Sequence, residues 1–255
     1  MKFEHLRGGV SALGLIAAVT FGAASASATE GYFQTGYGTI QKAQAGAGVA
    51  NPEDAMTLSV NPAGLTSVGN QFNMAFTLFS PKRDVTMTGP GFITTGKTTS
   101  DSNYFLMPNM AYARQIDAQS AWGVAVYGNG GMNTNYPAMA RTALNPCPLG
   151  TPGTGLFCFG RAGVNLEQMF LTVGYARKMG DISIGIQPIV AMQKFRAMGL
   201  QAFSGYSNDW TNLTNRDNDY SWGIGVRAGI LWSLQPGLRL GLTGTTPIWS
   251  TKFDK

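Results

Sequence analysis

The chain reads as an all-β protein, a transmembrane antiparallel β-barrel with an N-terminal plug, and three observations predict it. Charged residues make up only 12% of the 255 residues against 44% hydrophobic ones, where soluble domains carry about a quarter charged. Yet no stretch after residue 28 reaches the ~18 continuous apolar residues of a membrane helix. Apolar and polar residues instead alternate with a period of two in about seven segments. The connections between those segments alternate long and short, as in a barrel with turns on one side of a membrane and loops on the other. Mean hydropathy near zero also suits a secreted β-sandwich, but a sandwich gives no reason for the alternating loop lengths.

Residues 1–28 have the pattern of an export signal. Lys2 and Arg7 form the basic start, Val10 to Ala24 the apolar core, and Ala26-Ser27-Ala28 the small-residue cleavage site. The leader takes with it His5, the only histidine. Without a histidine the mature chain lacks the Ser–His and Cys–His catalytic arrangements and most zinc sites. The expectation is a protein that is not an enzyme, with no catalytic residues, metal or cofactor. The chain carries 18 Lys and Arg against 13 Asp and Glu, and loss of Lys2, Arg7 and Glu4 lowers the formal +5 by one. Lys82-Arg83 and Arg177-Lys178 are the only adjacent basic pairs, so no nucleic-acid partner is expected.

Residues 29–69 have the composition of a compact plug. Gly36, Gly38, Gly46 and Gly48 let the chain fold back tightly or press against a wall. Asn51-Pro52-Glu53-Asp54 predicts a helix start, with Asn51 as the cap, Pro52 at the first position and two carboxylates at the positive end of the helix dipole. Ala55 to Leu58 continue it for about two turns until Asn61-Pro62 stops it.

Residues 70–255 supply the strands. The first, from Asn70 to Val85, alternates Phe72, Met74, Phe76 and Leu78 with Asn73, Ala75 and Thr77. Residues 86–102 read as a loop. Tyr104, Leu106, Met110 and Tyr112 mark a second strand, with Pro108 at a bulge or an edge. Trp122, Val124 and Val126 mark a third, which dissolves into Gly128-Asn129-Gly130-Gly131. After a long loop from Met132 to Asn165 come Leu171, Val173 and Tyr175, then Ile182, Ile184 and Ile186, a strand that Pro188 is expected to disrupt. A polar loop from Arg196 to Asp219 precedes the clearest strand, Trp222 to Leu234, and Gln235-Pro236-Gly237 turns into a seventh at Leu238, Leu240 and Leu242. Trp222, Trp232, Tyr104 and Tyr112 stand near strand ends, where an aromatic girdle would lie. Inward positions are mostly Gly, Ala, Ser and Thr, which predicts a spacious interior. Arg227 and Arg239 share that glycine-bearing face and are candidates to pair with a carboxylate headgroup. Cys147 and Cys158 are expected to form a disulfide in the long loop, in an oxidising compartment.

The glycines, the acidic helix start and the ending Asn61-Pro62-Ala63-Gly64-Leu65 resemble the N-terminal hatch of FadL-type outer-membrane transporters, which take up long-chain fatty acids and, in related members, aromatic hydrocarbons. Looser resemblance runs through Pro108–Tyr112, Gly123–Gly131 and Thr246-Pro247-Ile248-Trp249. The resemblance implies a hatch of residues 29–69 inside a fourteen-strand barrel, with Asn61, Pro62 and Ala63 beside a kink in the third strand. That kink maps to Gly128, Gly130 and Gly131 and would open a lateral gap toward the membrane. It further implies passive uptake of a hydrophobic small molecule, by a monomeric barrel among outer-membrane lipid and lipopolysaccharide. A structural or adhesive surface barrel is the alternative function, and the hatch argues against a general polar porin. Seven strands cannot close a bacterial barrel of even strand number. The chain is therefore expected to be a fragment, or the product of an interrupted gene, covering the hatch and about half the barrel.

Overall fold

A computed structural model describes residues 32–89, 93–141, 146–214 and 217–254. The expected export signal, residues 1–28, and residues 29–31 of the expected plug lie outside them.

Six strands lie side by side in chain order, each antiparallel to the last: β1 (Gln71–Phe79), β4 (Phe105–Gln115), β5 (Ser120–Asn133), β6 (Gly163–Met179), β7 (Ile182–Met198) and β8 (Asp219–Gln235). β9 (Leu238–Thr245) and β10 (Trp249–Ser250) follow one another along β8, with Arg227 opposite Thr245 and Ile224 opposite Trp249. That one-residue offset across Thr246-Pro247-Ile248 makes them one bulged strand. Among the described residues β1 and this last strand are the two edges of the sheet. Short turns join β4 to β5, β6 to β7 and β8 to β9, whereas the long connections all leave from the opposite end of the sheet.

Three local expectations are corrected. The loop after the first strand holds a separate hairpin of β2 (Asp84–Met87) and β3 (Gly96–Thr99), so Asn70–Val85 is not one strand. Asp84 anchors this hairpin by accepting from Thr99 Oγ1 at 2.6 Å and pairing with Lys97 at 2.8 Å. Pro188 does not end β7, which runs on to Met198. The β6–β7 ladder skips the two rungs at Gln187 and Pro188, but the β7–β8 ladder continues through Pro188 opposite Val226. A proline removes one donor, and the neighbour on the other side carries the strand past it. The third correction concerns the interior.

The sheet has two unlike faces. One presents Phe72, Met74, Phe76, Ile184, Ile224 and Leu242, all large, apolar and exposed, with Leu242 at 71%. Tyr220, Trp222 and Trp249 stand on this face toward the long connections, and Tyr175 and Trp232 toward the short turns. The other face is lined by small residues and carries the N-terminal segment 32–68 against it. A Cβ at Gly123 would come 2.9 Å from Leu65 Cδ2 and 3.1 Å from Leu58 Cδ1. One at Gly174 would overlap Leu58, at Gly185 the backbone of Pro62-Ala63, at Gly229 the Asn61 amide, and at Gly241 the Val49 carbonyl. Gly123 faces Gly174 across β5–β6, and Gly185 faces Gly229 across β7–β8. The small inward residues therefore make a seat, and at this level the expected open interior is filled by the chain itself.

Overpacking this seat should cost ~1–3 kcal/mol. Gly229→Val is expected to lower the thermal unfolding midpoint in detergent and to speed hydrogen exchange in residues 55–64. Gly244→Val, with nothing within 4 Å of its Cβ, should change stability by less than ~0.5 kcal/mol.

Candidate functional site: the seat of the N-terminal segment and the end of the β4–β5 ladder

Gly36 and Gly38, at φ +77° and +76°, turn the chain on either side of Tyr37 and lead into helix α1 (Gly38–Ala43). Buried Gln41 fastens this helix to the next element. Its Nε2 donates to Met56 O at 2.9 Å and to Ser59 Oγ at 3.1 Å, and its Oε1 accepts from Tyr37 N at 3.0 Å. The next element is a 3₁₀ turn, Ala55–Ser59, and its cap corrects the sequence expectation. Asp54, not Asn51, caps it by accepting from Met56 N at 2.9 Å, while Asn51 donates to Glu53 at 2.8 Å in solvent. The start is set by a distant residue, because the Ala55 N–H donates to Asn73 Oδ1 of β1 at 3.0 Å. Burial raises the Asp54 pKa, the Met56 N–H opposes the rise, and the neighbouring Glu53 charge adds to it.

Asn61 ends this turn and begins the next, Pro62–Gly64. Its Oδ1 accepts from Ala63 N at 3.0 Å, and its Nδ2 donates to Val49 O at 2.8 Å and to Ile230 O of β8 at 3.1 Å. One fully buried amide thus joins two loops and a strand. Pro62 and Ala63 lie on Gly185. Helix α2 (Leu65–Val68) closes the segment, with Gln115 Nε2 donating to Leu65 O at 2.9 Å and Thr66 bonded to Ser183 at 2.8 Å.

The two arginines on the glycine-bearing face have separate fates. Arg227 donates from Nε to Thr245 Oγ1 at 2.8 Å and from its terminal nitrogen to the carbonyls of Leu58 and Ser59. With Gln187, which donates to Leu58 O at 2.8 Å, it satisfies the carbonyl end of the 3₁₀ turn, groups a helix end leaves without partners. Arg239 is exposed beside the β8–β9 turn, opposite Ser233. At ~3.4 Å per residue it lies ~20 Å along the sheet from the rung of Arg227, so the structure does not bring the two together.

The upper end of β5 is irregular where the three glycines stand. The β4–β5 ladder ends at Asn109 opposite Tyr127, with Pro108 just past it, while β5 continues to Asn133 paired only with β6. The β5–β6 register shifts between Gly128 and Gly130, which makes Asn129 the bulged residue. Beyond the last β4–β5 rung, Phe33 bridges to Gly130 and Gly131 N donates to Tyr32 O at 2.8 Å. A strand has two hydrogen-bonding sides and β6 holds one of them, so residues 32 and 33 lie on the side β4 has left. Gln34 donates to Gly128 O, and Tyr37 OH donates to Asn129 Oδ1 at 2.8 Å. Burial raises the Tyr37 pKa. Sequence reasoning missed Tyr37, Gln41, Asn109, Asn129 and Gln187. The Gly-Tyr-Gly spacing and the polar residues on otherwise small-residue faces were the only signals that pointed to them.

Above this point the long connections pack on one another. Cys147 and Cys158 are bonded, with Cα atoms 5.5 Å apart. Inside the loop they close, Leu156 O accepts from Arg141 at 2.9 Å and from Thr94 N of the β2–β3 connection at 3.4 Å. Phe157 meets Phe203 of the β7–β8 connection, ring centroids 5.2 Å apart.

Asn61 offers a test of the seat. Asn61→Ala leaves the Val49 and Ile230 carbonyls without this donor and should cost ~1–3 kcal/mol. Asn61→Asp keeps the acceptor for Ala63 N but sets a carboxylate oxygen against those carbonyls, and at neutral pH it should destabilise more than alanine does. Thermal unfolding in detergent and limited proteolysis within residues 44–64 read the order, and an aspartate variant as stable as wild type would contradict it.

No protein-family model and no curated protein matches the chain, but solved structures do. It is similar to a deltaS2S3 mutant of the monoaromatic hydrocarbon channel TodX, at 16% identity and a TM-score of 0.60 over 82% of this chain and 54% of that one. It is also similar to the Ralstonia pickettii toluene transporter TbuX, at 18% identity and a TM-score of 0.64 over 84% of this chain and 58% of that one. The chain thus spans little more than half the length of either. The likeness is one of fold, and among the described residues no three His, Cys, Asp or Glu side chains gather to hold a metal ion. The large antiparallel sheet of this chain has the fold of part of such a hydrocarbon channel.

Proposed function

We propose that this protein is a bacterial outer-membrane channel for passive uptake of small hydrophobic molecules. Segment 32–68 acts as its hatch, Asn61, Pro62 and Ala63 seat that hatch, and substrate leaves sideways at the irregularity of Gly128, Gly130 and Gly131. The end of the β4–β5 ladder carries the reading, because beyond it this side of β5 is met, among the described residues, by residues 32–34 instead of by a strand of the sheet. A sheet in lipid needs its backbone groups satisfied, and a piece that does so without being a strand of the sheet can also withdraw. The exposed apolar face supports membrane burial. Trp222 and Trp232 are ~34 Å apart along β8, which at a tilt of ~45° spans ~24 Å, close to the apolar band of an outer-membrane barrel.

Aromatic hydrocarbons fit the site better than long-chain fatty acids. The arginine nearest the hatch, Arg227, already holds two buried carbonyls, so a fatty-acid carboxylate would have to compete for it. Likeness to a monoaromatic hydrocarbon channel and a toluene transporter agrees with this preference.

A staple between β4 and β5 tests lateral exit. A Cβ at Gly128 would lie 3.7 Å from Met107 Cβ, within the ~3.5–4.5 Å that a disulfide spans. Cells expressing the Met107→Cys, Gly128→Cys protein should take up labelled toluene at least ~5-fold more slowly than either single variant, and a reductant should restore the rate. Wild type, with its native loop disulfide, should not respond to reductant. Unchanged uptake in the oxidised double variant, at matched protein level and with the cross-link shown by mass spectrometry, would rule out this exit.

A further inference from the structure

The hydroxyl-bearing ring of Tyr37 is held in a way that resembles a bound ligand more than a core residue. Two left-handed glycines set it at the tip of a turn, and it reaches into the irregular end of β5. Its ring lies 4.7 Å from that of Tyr127, centroid to centroid, and Tyr127 in turn meets Phe170 edge-on at 5.8 Å. Its hydroxyl donates to Asn129 Oδ1 at 2.8 Å and reaches the Asn129 carbonyl at 3.3 Å. The bulge aims Asn129 here, and Gln168 accepts from its Nδ2, which fixes Oδ1 as the acceptor. An independent observation lies one rung away. Asn109, opposite Tyr127, is fully buried, yet neither its Oδ1 nor its Nδ2 has a hydrogen-bond partner. The Tyr127 hydroxyl makes no hydrogen bond of good geometry either and lies in the field of Arg227. Buried polar groups are normally satisfied, so a donor and an acceptor left open beside an aromatic wall mark a place built for a polar group besides those of the chain.

We infer that Tyr127, Phe170, Asn129 and Asn109 form a binding site for a hydroxylated single-ring aromatic molecule, and that Tyr37 occupies the site as a tethered stand-in. A phenol entering it would stack on Tyr127, donate to Asn129 Oδ1 as Tyr37 does, and lift Tyr37 away. Residues 32–34 stand just before Tyr37 along the chain, separated from it only by Thr35 and Gly36, so the same displacement loosens their contacts with Gly128, Gly130 and Gly131. The substrate then opens its own exit. The inference rests on the channel reading above and deepens it by naming a substrate class and a subsite. A tethered ring competes at an effective concentration of roughly millimolar, so free phenols should bind the native protein weakly and bind much better once the ring is removed.

The test is isothermal titration calorimetry of the detergent-solubilised protein with p-cresol and with toluene. Binding is read without transport, so its outcome is separate from that of the stapled channel. Tyr37→Ala should bind p-cresol at least ~10-fold more tightly than wild type. In that variant toluene, which cannot donate to Asn129, should bind ~5- to 10-fold more weakly than p-cresol, about the worth of one neutral hydrogen bond. Adding Asn129→Leu should erase the preference. Equal p-cresol affinity in wild type and Tyr37→Ala would overturn the inference, as would equal affinity of the variant for the two probes, even if the staple abolishes uptake. Should Tyr37→Ala not fold, Tyr37→Phe keeps the ring and loses only the hydroxyl. It should gain ~3-fold for p-cresol, and no gain would overturn the inference in the same way.

Discussion

The structure depends on bringing backbone into direct contact with a sheet. The backbone of Pro62-Ala63 lies directly on Gly185 and that of Val49 on Gly241, while the Leu58 and Asn61 side chains press onto Gly174 and Gly229, so carbonyls that would otherwise meet water are enclosed. Enclosed carbonyls need donors, and the sheet supplies them from Gln187 and Arg227, while Asn61 reaches the other way to the carbonyls of Val49 and Ile230. Close approach and polar satisfaction are two sides of one requirement. Larger residues on the sheet would hold the segment off, and without these three side chains the contact would bury unpaired groups at ~1–3 kcal/mol each.

The same strands carry the opposite demand on their other face. There the side chains are large and apolar, with aromatics toward both ends, and alternation along each strand lets one sequence meet both needs. Proline is tolerated where one ladder can lapse. Pro188 sits at a skipped β6–β7 rung while β8 holds β7, and Pro108 stands where the β4–β5 ladder ends. The second of these positions coincides with the glycine bulge of β5 and with residues 32 and 33, which stand where β4 has left. In the proposed channel, movement of the N-terminal segment and stability of the sheet are thereby separated. The sheet is held by ladders, and the part at the irregular end by two backbone contacts, a few side chains and one tilted ring contact.

Much of the fold was legible in the sequence. The strands expected around Phe72–Leu78, Trp122–Val126, Ile182–Ile186 and Trp222–Leu234 exist, and in each the apolar face is the more exposed one. The mistakes were of one kind. The β2–β3 hairpin and the run of β7 past Pro188 rest on pairing with a neighbouring strand, and the turn after Asp54 is placed by Asn73 of β1, contacts that local periodicity does not display.

Period-two alternation and loop lengths are properties of the chain read along itself, and they determined the strands and the two faces of the sheet. The tertiary structure decided what the small residues are for and whom the polar ones serve. Arg227 shares a face with Arg239 in sequence but binds Leu58 and Ser59 in space, and Tyr37 looks like a loop residue until Tyr127 and Asn129 close around it. These pairings span ninety residues or more, and hydrogen bonds and ring contacts at that separation are fixed only by the register in which the strands meet.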